Sequence, residues 1–145
     1  MRRAFIAVAV AGASLAAALA AGAATSVGTR TLVVQLRGSS ETPAAPASNR
    51  GSVTLRLTPA SGRVCWTFRL AKIDGKPNQA HIHKGRRGVA GPVVVPLYAR
   101  GKTYVARGCT SAKKTVVAAI VKHPTAYYVN VHNAKHPAGA MRGQL

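Results

Sequence analysis

Two consecutive segments with a strict two-residue alternation constrain the fold of this chain more than any other feature. In SVTLRLT, residues 52–58, and in VCWTFRL, residues 64–70, apolar side chains occupy every second position. Because neighbouring side chains of a β-strand point to opposite faces, this pattern predicts two strands with one buried face each. The intervening PASGR is a turn sequence, so the strands are predicted to form a hairpin. The predicted buried faces are Val53, Leu55 and Leu57 on the first strand and Val64, Trp66, Phe68 and Leu70 on the second.

The remainder of the chain contains further short apolar or alternating segments separated by turn sequences. One helix is predicted over residues 111–123, with Ser111 as its cap and Pro124 directly after its end. The fold class is therefore predicted as mainly β: a single Greek-key or immunoglobulin-like antiparallel β-sandwich with one short helix. The other predicted strands lie at 31–37, 80–84, 92–97, 103–108, 126–132 and 140–145.

The N-terminus has the organisation of an export signal. Arg2 and Arg3 precede a long run of small apolar residues, and Ala21-Gly22-Ala23 offers a cleavage sequence. These features predict a secretory signal peptide over residues 1–24 and a secreted or extracytoplasmic mature protein without a membrane span. A retained membrane anchor and a twin-arginine export route are the alternatives.

The charge of the chain is strongly one-sided. Lys and Arg number 21 against two acidic residues, and loss of Arg2 and Arg3 with the signal would lower the formal net charge from +19 to +17. Such a surface favours anionic partners, and we predict cell-envelope polymers or an extracellular protein. Because the basic residues are dispersed and lack interleaved aromatic residues, the sequence argues against a specific nucleic-acid reader.

Two cysteines, Cys65 and Cys109, are present in the chain. In an exported protein they are predicted to form one disulfide bond. A thiol nucleophile is the alternative, but neither cysteine lies in a motif typical of one.

The segment AHIHK, residues 80–84, suggests a metal site. In a strand, His81 and His83 project from one face about 7 Å apart while Ile82 points to the other. His132 lies in the later strand 126–132 and can complete a three-nitrogen set if the two strands are neighbours. Imidazole nitrogens favour copper, zinc or nickel, of which copper or zinc is the prediction, and the near absence of carboxylates disfavours calcium and magnesium. Exposed or hydrogen-bonded structural histidines are the alternative.

Several blocks of the sequence together resemble the CHRD domain, the module named after chordin. The blocks are LRGSSETP, AHIHKGRRGVAGPVVVPL, GC at 108–109 and YYVNVHNAKHPAGAMRGQL, and the resemblance covers residues 31–145. It implies an extracellular β-sandwich-like domain that acts as a binding module of undefined ligand. The resemblance also places an acidic residue at Glu41, which we expect to have a structural role, either paired with an arginine such as Arg142 or close to the histidine cluster.

A more distant likeness connects the same residues to the copper-zinc superoxide dismutase sandwich. That likeness implies that His81, His83 and His132 hold copper and that Arg142 guides an anion. No further histidine or aspartate is placed for a second metal, so a zinc site of that kind is not expected. The Gly-rich segment after His83, with Arg86 and Arg87, is a second anion-binding candidate.

These observations favour a binding module over an enzyme. No Ser-His-Asp set and no pair of carboxylates is present in the sequence pattern to support hydrolysis. A mononuclear copper redox protein and a cationic cell-envelope adhesion protein without a defined site are the alternatives.

Overall fold

The structure, a computed structural model, describes residues 27–98 and 104–145. The predicted signal peptide, residues 1–24, lies outside this part of the chain. Eight antiparallel strands form one nearly closed sheet in the order β5-β4-β7-β8-β1-β2-β3-β6, and β5 approaches β6. The strands are β1 Arg30–Arg37, β2 Arg50–Thr58, β3 Arg63–Lys72, β4 Pro77–Lys84, β5 Val93–Tyr98, β6 Arg107–Ser111, β7 Tyr127–Asn133 and β8 Met141–Gln144.

This architecture confirms the prediction of a mainly β, antiparallel sandwich or barrel-like fold. The hairpin predicted from the alternation is β2–β3, with Leu55 directly opposite Trp66. The side chains predicted to be buried on β2, and Val64, Trp66 and Phe68 on β3, lie in the core. The Trp66 indole donates a hydrogen bond of 3.0 Å to the carbonyl of Val105, so its one polar group is satisfied at the edge of the core.

One α-helix, α1, Lys114–Lys122, and two short 3-10 helices, Gly38–Ser40 and Pro124–Ala126, complete the described elements. The helix buries Val117, Ile120 and Val121 against the sheet. It ends before Pro124, as predicted, because proline cannot continue the backbone hydrogen-bond ladder. No helix in residues 27–98 and 104–145 is long and apolar enough to cross a membrane.

The start of the helix was predicted incorrectly. Ser111 does not cap α1 but is the last residue of β6, where it lies opposite Arg63 of β3. The N-cap is Lys113, and no side chain accepts a hydrogen bond there. Sheet pairing therefore outweighs the local capping preference of serine.

The predicted disulfide bond between Cys65 and Cys109 is confirmed. The two residues lie directly opposite each other on β3 and β6. Since β3 is the one described strand that pairs with β6, the bond holds an edge strand of the described sheet in place.

Loss of the disulfide is expected to destabilise the protein by up to about 4 kcal/mol, because the bond closes a long loop in the unfolded chain. The measurement is urea unfolding followed by Trp66 fluorescence, with and without reductant. The Cys65→Ser/Cys109→Ser variant should match the reduced wild type and should not respond to reductant. Equal stability of reduced and oxidised wild type would contradict the prediction.

Candidate metal centre

The pairing of β4 with β7 positions the candidate metal ligands. In this antiparallel pair His81 lies opposite Asn130, and His132 lies opposite Gln79, one position along the same face. Ile82 points to the other side, into the core. The structure thus brings together all three histidines singled out from the sequence.

The three imidazoles form a compact cluster. One nitrogen from each ring lies within 4.8 Å of the other two, and His81 Nδ1 is 3.2 Å from His132 Nε2. His83 and His132 are buried, whereas His81 is partly accessible to solvent. The cluster therefore has one exposed side and two fixed, enclosed members.

Backbone carbonyls fix the orientation of the two buried rings. His83 Nδ1 lies 2.8 Å from the carbonyl oxygen of Gly91, and His132 Nδ1 lies 3.0 Å from that of Pro137. Because a carbonyl only accepts, each Nδ1 carries the proton and each Nε2 presents a lone pair. The Nε2 atom of His83 is buried and has no hydrogen-bond partner among the described residues.

The environment keeps the three rings neutral. Burial, together with the neighbouring His132 and His83, lowers the pKa of His81 from 6.5 to about 4. Burial also lowers the pKa of His83 and of His132, although the carbonyls of Gly91 and Pro137 oppose this effect. Neutral imidazole is the form that binds a metal.

The donor set fits a transition-metal ion. Three nitrogens bound at 2.0–2.1 Å to one ion would lie about 3.4 Å apart. The pair of His81 and His132 already has nearly this separation, at 3.2 Å, so the remaining nitrogen needs to move by at most about 1.5 Å. Among the described residues this is the one group of at least three His, Cys, Asp or Glu side chains close enough to hold an ion.

Arg142 of β8 is buried beneath the loop that follows His83, where it stabilises that loop. Its guanidinium donates hydrogen bonds to the carbonyls of Val89, at 2.9 Å, and Arg86, at 2.8 Å. It also stacks on the Tyr128 ring, with Cζ 3.3 Å from the ring centroid. The other face of the Tyr128 ring stacks parallel on the His83 ring, and the two ring centroids are 4.8 Å apart. Arg142 therefore supports the cluster through Tyr128 and the loop.

The loop side chains predicted to bind an anion lie apart from this buried layer. Arg86 and Arg87 are exposed, and the loop amides of Gly85 and Gly91 are already engaged by the carbonyl of Ala126 and the hydroxyl of Tyr128. The anion-binding role of Arg142, Arg86 and Arg87 stays a prediction.

Glu41 is a buried carboxyl group in the same polar layer. It directly follows the Gly38–Ser40 turn, and its carboxyl packs so closely on Gly139 that a side chain at that position would overlap it. Burial raises its pKa from 4.5 to about 7, against the opposing effects of Arg142 and Asn130. Within the described residues, salt bridges within 4.0 Å involve Asp74 alone, so Arg142 acts on Glu41 through space.

Two residues of this layer were not identified from the sequence. Tyr128 separates His83 from Arg142, and Asn130 lies between the histidines and Glu41, where it affects the pKa of both His83 and Glu41. The sequence did contain a signal for them. Tyr128, Asn130 and His132 are spaced by two residues, so in a strand all three lie on the same face as the candidate ligand.

Comparison with known proteins identifies one family. The model of the CHRD domain matches residues 32–145, close to the range 31–145 suggested by the sequence blocks. No curated protein and no solved structure matches the chain.

The raised pKa of Glu41 predicts a specific pH dependence of stability. The unfolded carboxyl ionises near pH 4.5 and the folded one near pH 7, so its contribution is complete below pH 4.5 and is lost as the pH rises to 7. Relative to wild type, Glu41→Gln should therefore gain about 2–3 kcal/mol between pH 4.5 and pH 7.5. Urea unfolding of metal-free protein in a chelator measures this difference.

Asp74→Asn provides the matched control for this experiment. Asp74 is the only other acidic side chain of the sequence, and its hydrogen bond to Lys135 lowers its pKa from 3.8, below the tested window. Neither Glu41 nor Asp74 is among the groups that shift the pKa of His81, His83 or His132, so these three histidines cancel in the comparison. Parallel stability curves for Glu41→Gln and wild type would show that Glu41 is ionised in the folded state at acidic pH.

Proposed function

The chain belongs to the CHRD domain family, and from this membership together with the histidine cluster we propose that it is an exported binding module that holds one transition-metal ion. His81, His83 and His132 are the proposed ligands. The ion would supply Lewis acidity or redox activity, and the protein residues would fix its position.

The single observation that carries this proposal is the arrangement of ring nitrogens. The carbonyls of Gly91 and Pro137 engage the Nδ1 atoms of His83 and His132, so the Nε2 atoms of both rings are the ones available to an ion. The Nε2 of His132 contacts only another candidate ligand, His81 Nδ1, at 3.2 Å. Purely structural histidines would be expected to use both ring nitrogens when buried. The buried, unpartnered Nε2 of His83 instead supports a role as a ligand.

Copper is the first candidate for the ion and zinc the second. Both accept imidazole nitrogen, and a given site of this kind binds Cu(II) more tightly than Zn(II). With three ligands from the chain, a fourth position is left for water or a small molecule. The partial exposure of His81 gives that position access to solvent.

This access also supports a second candidate, a mononuclear copper redox protein. A copper ion with an open position on the His81 side could exchange electrons with a small solute. Consumption of superoxide by the copper-loaded protein would favour this function, whereas tight copper binding without such activity would favour a carrier or a structural role.

The proposal includes export and anionic partners outside the cell. The disulfide between Cys65 and Cys109 is consistent with an oxidising compartment, and the apolar N-terminal segment after Arg2 and Arg3 has the composition of a signal peptide. The high net positive charge supports association with anionic cell-envelope polymers.

Calorimetric titration of the metal-free mature protein should give one Cu(II) site and weaker binding of Zn(II). His81→Ala/His83→Ala should weaken Cu(II) binding by at least about a hundredfold, because two of three ligands are lost. Copper EPR should show nitrogen ligation in the wild type.

His123→Ala/His136→Ala is the matched control, since it removes two histidines outside the cluster, and it should bind Cu(II) like the wild type. The single variant His81→Ala alters a partly exposed residue, so it should fold normally and still lose affinity by at least about tenfold. Wild-type affinity in His81→Ala/His83→Ala would disprove the metal proposal.

A further inference from the structure

Three arginines line a groove on the outer face of β1, β2 and β3. Arg37, Arg50 and Arg69 are all exposed, and each comes from a different strand. The groove has a volume of about 320 Å³, and Gln35 and Ser52 also line it. The sheet register thus assembles a cationic site from residues that are 13 and 19 positions apart in the sequence.

The register places these positive charges close together. Arg37 lies directly opposite Arg50 in the β1–β2 pair, and Arg69 lies opposite Ser52, which is two residues from Arg50. Like charges directly opposite on neighbouring strands destabilise a sheet. The arginines of the groove therefore repel one another, and a bound anion would reduce this repulsion.

The protein itself offers no anionic side chain to neutralise this groove. Its two acidic residues are Glu41 and Asp74. Glu41 is buried beside Gly139, and Asp74 forms a salt bridge of 2.5 Å with Lys135.

We infer that the groove lined by Arg37, Arg50 and Arg69 is a binding site for a phosphate group. Planar guanidinium groups match the oxygens of phosphate with pairs of charge-assisted hydrogen bonds. Ser52 and Gln35 add neutral hydrogen-bond donors at the same place. This site goes beyond the proposed metal function and does not depend on whether the histidine cluster binds an ion.

Thermal unfolding of the metal-free protein in sodium phosphate, compared with sodium chloride at equal ionic strength, tests the site. Phosphate should raise the melting temperature of the wild type more than chloride does, because it binds the folded state. Arg50→Gln/Arg69→Gln should weaken phosphate binding by at least about tenfold. In dilute chloride this variant should be as stable as the wild type or more stable, since a repulsion is removed.

Arg56→Gln/Arg63→Gln is the control with the same change of charge. Like the first variant, it removes one exposed arginine from β2 and one from β3, but neither residue lines the groove. It should keep the phosphate effect. If both variants lost the phosphate effect equally, the effect would arise from the overall positive charge and not from a site. An equal effect of phosphate and chloride on the wild type would also overturn the inference.

Sedimentation with phosphatidylglycerol and phosphatidylcholine vesicles identifies the source of the phosphate. Sedimentation with phosphatidylglycerol that is lost in Arg50→Gln/Arg69→Gln would assign the groove to lipid headgroups. Binding of inorganic phosphate without groove-dependent sedimentation would assign it to a soluble phosphate or phosphate ester. Failure of both arms would remove this site and leave the histidine proposal unaffected.

Discussion

The burial of the Arg142 guanidinium is the interaction on which the polar side of this domain depends. A buried cation is costly unless its donors are satisfied, and here the carbonyls of Arg86 and Val89 and the face of Tyr128 satisfy it. These contacts hold the loop after β4 against the sheet. The same loop supplies the Gly91 carbonyl that orients His83. The orientation of this candidate ligand therefore depends on the hydrogen bonds that Arg142, two strands away on β8, donates to the loop.

The alternation of β7 alone predicts that its polar face is exposed to solvent. Loops cover this face instead, so that it forms a buried polar layer. All seven residues of β7 are buried, although the apolar and polar side chains alternate. Carbonyls from the loops accept hydrogen bonds from part of the buried polar layer: Pro137 accepts one from His132, and Ala138 accepts one of 3.4 Å from the Asn130 amide. Burial with these partners keeps the histidines neutral and Glu41 largely protonated below pH 7.

The period-two pattern made most of the strands, the core faces and the histidine set predictable, because strand geometry alone determines which side chains share a face. The strand predicted at 103–108, which has no clear alternation, instead lies at Arg107–Ser111. The role of Arg142 was not predictable in the same way. Its partners lie in a loop 53 and 56 residues away in sequence, where no periodicity exists. Ser111 shows the opposite failure, since a correct local preference for capping was overridden by pairing with Arg63. The cluster of Arg37, Arg50 and Arg69 looked dispersed because strand register, and not sequence proximity, brings it together.

The boundary between the two candidate sites lies at one pair of residues. Arg37 and Arg142 are directly opposite each other on β1 and β8 and therefore share a face of the sheet. Arg142 is covered by a loop that satisfies its guanidinium, and the neutral histidines lie beyond it on β7 and β4. Arg37 is exposed and opens the arginine groove on the other side. The coverage of the sheet by loops, more than the residue types on the strands, thus separates a cluster suited to a metal cation from a surface suited to an anion.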